Sequence, residues 1–327
     1  MDFTTKINIP QSDFLIDHTT KMMLLGSCFS ENIGLRLKNH KFQVNMNPMG
    51  ILFNPLSITS TIKRLLEENP FNESDLVTYN DLHHSFMHHG SFSKQNKEES
   101  LKNINYHYLK ATDFLKTTDL LMITFGTAYT FKLKSNGEIV SNCHKFPSEI
   151  FTRFRLTIDE IVEEWKHVII KLLNLNSKIK ILFTVSPIRH LRDGAHDNQL
   201  SKSILHLAVD KLQSIFPDAI MYFPSFEIMI DELRDYRFYE QDMIHPSSVA
   251  SDWIWNNFSK TYFSKNTIKI NKEWSSIKRS LEHRPLHPNT AVHREFLEHT
   301  YQNLISFAEK YPMINSEEEI SNIKSLI

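Results

Sequence analysis

The chain has 327 residues, of which 41% are apolar and 23% charged, with a formal net charge of −1. That length supports a large core in one domain or two, and the interleaved charges leave no basic stripe for nucleic acid or an anionic membrane. Two distant cysteines, Cys28 and Cys143, do not make a disulfide scaffold and fit a reducing compartment. The apolar runs fall far short of the ~20 residues that span a bilayer. The N-terminus lacks the basic start and apolar core of a signal peptide, so a cytoplasmic location is expected.

In chain order, short runs that are apolar on both faces alternate with longer helical patterns. Residues 22–25, 42–44, 120–125, 179–185 and 219–223 have strand length and are mostly apolar on both faces, as buried parallel strands are. Between them, residues 31–39, 57–68, 101–115, 158–173 and 199–216 repeat apolar residues at helical spacing. Strand-helix alternation predicts an α/β fold with helices on both faces of a parallel sheet. Five such strands fit the three-layer, flavodoxin-like order 2-1-3-4-5, whose crevice lies beyond the C-terminal ends of the first and third strands.

Two regions interrupt the alternation. Residues 69–96 are polar and His-rich, and are expected to be irregular or hairpin-like. Residues 129–133 and 138–140 flank Asn136-Gly137 and predict a hairpin. The predicted division is a main domain over residues 1–265, with an inserted His-rich segment at about 69–118. A charged helical extension follows over residues 266–327.

Glycine is scarce, with only seven in the chain. Three of them, Gly26, Gly50 and Gly126, fall just past predicted strand ends. They serve either tight turns or the exposure of backbone N–H groups to an oxyanion. His83, His84, His88 and His89 lie close together, but no Cys, Asp or Glu cluster completes a zinc site, so exposed loop histidines are expected and no metal. Cys143-His144-Lys145 is expected in a pocket-lining loop. His190, with Arg189 or Arg192, is expected on the rim after the fourth strand, either to bind an anionic substrate group or to pin the loop by salt bridges.

The segments GSCF at Gly26–Phe29, NPMGILFNPLSI, ITFGTAYTF, NCHKFP, FTVSPIRHLRDG, DELRDYRFY and DMIHPSS occur in order from about Leu24 to about Phe258. In these segments the chain resembles the GSCFA family, which is grouped with the SGNH/GDSL hydrolases. The resemblance implies an acyl-ester hydrolase without a cofactor, acting on a small-molecule or saccharide ester. Aligning the family's Gly-Asp-Ser-Leu block on Gly26 puts Ser27 at the Asp position and Cys28 at the nucleophile position. Gly50 matches the second-block oxyanion glycine. The third block, normally Gly-x-Asn-Asp, reads Gly126-Thr127-Ala128, so its Asn is missing and Thr127 or a backbone N–H takes its place. Asp242-Met243-Ile244-His245 matches the last block, Asp-x-x-His.

In that arrangement His245 is the general base and Asp242 orients it. Pro246 suits a first helical turn. Cys28 at a helix N-terminus and near His245 is expected to have a lowered pKa, while Ser27 remains an alternative nucleophile. Transfer of the acyl group to another acceptor, and non-catalytic ligand binding on the same scaffold, are the rival functions.

Overall fold

The computed structural model describes residues 5–327. Two compact units are present, each built from discontinuous chain. The first comprises residues 5–8, Lys21–Gly34 and Val44–Asn256, and the second Ile9–Thr20, Leu35–Gln43 and Asn257–Ile327.

The chain runs β1 (Lys21–Gly26), α1 (Cys28–Asn39), β2 (Gln43–Met46), α2 (Pro55–Leu66), β3 (Val77–Tyr79), β4 (Leu82–His84), α3 (Lys97–Leu115) and β5 (Leu120–Phe125). A small meander follows: β6 (Tyr129–Leu133), β7 (Ile139–Val140) and β8 (Phe151–Arg155). Then come α4 (Ile158–Leu175), β9 (Lys180–Val185), α5 (Ala195–Ile215), β10 (Ile220–Tyr222) and a short α6 (Ser225–Glu227) that passes into a π-turn. The last elements are α7 (Ser248–Tyr262), α8 (Lys265–Leu281), α9 (Ala291–Lys310) and α10 (Glu317–Lys324).

The main sheet has the order β10-β9-β5-β1-β2. Counting only its five strands along the chain, this is 2-1-3-4-5, with β1, β5, β9 and β10 pairing in parallel. Both faces are buried. Met23, Leu25, Leu121, Ile123, Phe125, Ile181, Phe183 and Val185 join the core with α2, α3, α4 and α5. Met22, Leu24, Leu120, Met122 and Leu182 point the other way and are also buried. On that second face Gly34 brings α1 close to the sheet: a Cβ there would lie 2.3 Å from Met46 Sδ and 3.4 Å from Leu24 Cδ2.

Local sequence sets the helix starts. Asn54 accepts the Ser57 amide at 2.8 Å ahead of Pro55. Thr157 and Glu160 form a reciprocal capping box for α4. Trp165 of α4 sits edge-on to Phe125 and Phe183, with ring centroids 5.4 and 4.9 Å away, and anchors the core.

The His-rich stretch contains the β3–β4 hairpin, and its histidines are not the exposed loop residues expected. His84 and His88 are buried. His84 Nε2 donates to the Tyr79 carbonyl at 3.1 Å, and His88 lies between the rings of Phe71 and Phe92. Among the described residues no group of three or more His, Cys, Asp or Glu side chains could hold a metal.

In the second unit, Ile16 bridges Phe263, His18 stacks on Phe42 and Phe42 on Phe263. Trp274 Nε1 donates to the Asn39 carbonyl at 2.8 Å, and Lys41 pairs with Glu319. Its helical part closes over Ile270, Trp274, Leu304, Phe307 and Ile323. Among the described residues no helix is long and apolar enough to cross a membrane.

Candidate active site

All of the residues below belong to the first unit, at the C-terminal ends of its strands. β1 ends at Gly26, whose φ is +145°. A Cβ there would lie 2.4 Å from the Thr124 carbonyl oxygen of β5, so only glycine lets the chain turn off against its neighbour strand. Two residues later Cys28 opens α1, three residues earlier than the apolar periodicity indicates.

Cys28 Sγ lies 3.9 Å from His245 Nε2. His245 Nδ1 donates to Asp242 Oδ2 at 2.6 Å, which leaves Nε2 without a hydrogen and open to a proton. The Asp242–His245 turn braces itself. Asp242 Oδ1 accepts the amides of Ile244 at 2.9 Å and His245 at 3.0 Å, and Met243 adopts φ +57° between them. The His245 amide, its imidazole and the Ile244 amide together hold the Asp242 carboxyl at about 2. Asp242 and His245 are about half exposed. Pro246 is not in the first helical turn: it pairs with Tyr239 in an isolated bridge, and α7 begins at Ser248.

Ser27 is buried, and its Oγ accepts the Phe29 amide at 3.3 Å. Cys28 departs from the sequence expectation in its acidity. Burial pushes its thiol up, and this outweighs the amides of Cys28 and Phe29 and the charge of Lys202, which pull it down.

The expected oxyanion amides are engaged. Gly50 N donates to Asn47 O at 2.7 Å, and the amides of Gly126 and Thr127 both donate to Phe53 O, at 2.8 and 3.0 Å. Thr127 Oγ1 pairs with Ser201 Oγ at 3.1 Å and accepts the Tyr129 amide. His144 is committed elsewhere too: Nε2 donates to Ser85 O at 2.8 Å and its ring packs on His84. Among the described residues no hydrogen bond or ring contact joins His144 to Cys28, Asp242 or His245. Arg189 lies over the Tyr239 ring, and its amide donates to Ile244 O.

His190 is held differently. Its amide donates to Asn198 Oδ1 at 2.9 Å and its ring sits edge-on to Phe53. Its Nε2 is buried without a hydrogen-bond partner, 3.3 Å from where a Cβ on Gly126 would stand. Burial, and then the charge of Lys202, lower its pKa to about 4, with His245 contributing in the same direction.

Two further residues were not evident from motifs. Lys202 is fully buried, and its Nζ donates to Gly126 O and Ser186 O, both at 2.7 Å. Burial lowers it to about 7. Asn47 Oδ1 accepts the Gly26 amide at 3.0 Å, while its Nδ2 is buried and unpartnered. A signal for Lys202 exists in helical spacing. It lies three residues before Leu205 and seven before Val209, on the inward face of α5, where Asn198 and Ser201 are buried beside it.

A model of the GSCFA family matches residues 21–258. The chain belongs to the GSCFA family. The family's second model, described as GSCFA domain protein, C-terminal domain, matches residues 274–327. No curated protein matches the chain. Among solved structures, an acetyl xylan esterase (Est2A) from the rumen bacterium Butyrivibrio proteoclasticus is similar at a TM-score of 0.35 and 9% identity. The match covers 75% of this chain and 66% of that one, just under two thirds of the esterase's length. At that distance no residue role transfers.

Proposed function

We propose that this GSCFA-family chain is an SGNH-type acyl-ester hydrolase with Cys28 as nucleophile, His245 as general base and Asp242 as the group that orients it. One observation carries the reading: the line Asp242 Oδ2, His245 Nδ1, His245 Nε2, Cys28 Sγ, with contacts of 2.6 and 3.9 Å, joins residues 217 positions apart. Ser27 offers no such contact, because its hydroxyl is buried against the Phe29 amide.

The steps follow from the protonation states. Burial keeps Cys28 a thiol at rest, so the proton leaves during attack rather than before it. As Sγ bonds to the ester carbonyl carbon, the thiol proton passes to His245 Nε2 and the carbonyl π electrons move to oxygen. Asp242, ionised down to about 2, stabilises the resulting imidazolium. Collapse breaks the ester C–O bond, and His245 returns the proton to the departing alcohol. Water, deprotonated by the same imidazole, then cleaves the thioester and restores the thiol. Half-exposure of His245 leaves it open to the water that this step uses.

The test is turnover of a panel of short p-nitrophenyl esters. Cys28→Ala is expected to abolish it, His245→Ala to lower kcat by roughly 10²–10⁴-fold, and Ser27→Ala to change it by less than about tenfold. Wild-type turnover in Cys28→Ala, or its loss only in Ser27→Ala, would overturn the assignment.

A further inference from the structure

An ester carbonyl attacked by Cys28 places negative charge on its oxygen, and that charge needs a donor aimed at it. The amides of Gly50, Gly126 and Thr127 are spent on Asn47 O and Phe53 O, and the Thr127 hydroxyl on Ser201 and Tyr129. Two side-chain nitrogens near these strand ends, Asn47 Nδ2 and His190 Nε2, are buried without a partner. His190 Nε2 is shielded from solvent, has no partner, and abuts Gly126 at the end of β5, the strand beside the nucleophile's own.

We propose that His190 donates its Nε2–H to the ester oxygen in the tetrahedral state, taking the place of the backbone amides that the rim has committed elsewhere. This rests on the reading of Cys28 as an acylated nucleophile.

The surroundings support the role. Asn198 fixes the His190 backbone, Phe53 fixes the ring edge, and Lys202 ties the Gly126 and Ser186 carbonyls beneath it, so the donor is held before substrate arrives. Burial and the Lys202 charge lower His190 to about 4, so at neutral pH it is an uncharged donor. It therefore does not add a second imidazolium beside the one forming on His245. An orphaned buried polar atom carries a cost in the resting protein, and the oxyanion removes that cost only in the transition state. Such an interaction raises kcat more than it lowers KM.

Two reactions of the same sulfur test this. Acylation by p-nitrophenyl acetate passes through an oxyanion, whereas alkylation by iodoacetamide displaces iodide and forms none. His190→Leu is expected to slow acylation by roughly 10²–10³-fold, with KM and the alkylation rate within about threefold of wild type. His190→Gln, which keeps an amide donor, is expected to recover at least tenfold of the loss, and unchanged melting temperatures would show both variants folded. Unchanged acylation in His190→Leu overturns the proposal, as does an equal loss in both reactions, which would mean that His190 acts on the thiol. A loss confined to Asn47→Asp, whose wild-type Nδ2 is also unpartnered, would pass the role to Asn47 and overturn it as well. A wild-type chain that is alkylated at Cys28 but acylated by no ester in the panel would overturn the parent reading, and this one with it.

Discussion

Cys28 combines two opposing influences. Burial raises the thiol further than the amides of Cys28 and Phe29 at the helix start and the charge of Lys202 lower it. The expected consequence is measurable without substrate. Iodoacetamide labelling of Cys28, followed by mass spectrometry from pH 6 to 10, should still be accelerating at pH 9. A plateau below pH 8 would instead reveal a preformed thiolate–imidazolium pair. Cys143 is pushed higher still, to about 11, by its own burial, so it should label more slowly than Cys28 throughout. At this scale the sequence named the residues better than their states. Cys28 and the Asp-x-x-His pair were legible because they follow strand ends and sit at fixed spacing. The engaged amides of Gly50 and Gly126 were not, because the carbonyls that take them, Asn47 O and Phe53 O, depend on how the segment between β2 and α2 folds back.

Elements were legible where burial imposes a pattern. β1, β5 and β9 are buried on both faces, and that property survives any uncertainty of one or two residues at their ends, whereas β2, QVNM at the sheet edge, has no buried residue. β8 was missed because FTRFR, at Phe151–Arg155, sets its two apolar residues three apart instead of alternating, so it lacks the period of a strand. α5 shows what periodicity alone conceals: the inward face that carries Leu205, Ala208, Val209 and Leu212 begins with Asn198, Ser201 and Lys202. Those three hold the His190 amide, the Ala128 amide, and the Gly126 and Ser186 carbonyls. α4 allows a stability prediction. Trp165 is fully buried between Phe125 and Phe183, but its indole N–H has no partner. Trp165→Ala should cost about 3–5 kcal/mol in urea unfolding. Trp165→Phe should cost less than half of that, since it keeps the ring contacts and removes an unsatisfied donor. Equal losses in the two variants would show that the indole N–H matters after all.

Across the whole molecule, pH acts through buried neutral histidines. His88 is lowered from 6.5 to about 3, chiefly by burial. The unfolded chain takes up a proton near pH 6.5 that the folded chain refuses until about 3, so this histidine lowers stability as pH falls through that window. From pH 8 to pH 5 the loss from His88 alone should be about 2 kcal/mol. His88→Leu should flatten the slope by that amount, read from urea midpoints at the two pH values. An unchanged slope would assign the acid sensitivity to other groups, His190 among them. Domain organisation takes a different form in space than along the chain. A linear reading places a helical extension at residues 266–327, whereas the compact second unit also takes in residues 9–20 and 35–43. That pairing has a consequence during synthesis. Ile16, Leu37 and Phe42 leave the ribosome more than two hundred residues ahead of Phe263 and Trp274. At roughly 5–20 residues per second, the early segments wait on the order of 10–40 s for their companions. For that interval a nascent chain presents these apolar side chains unsheltered, a natural station for a chaperone.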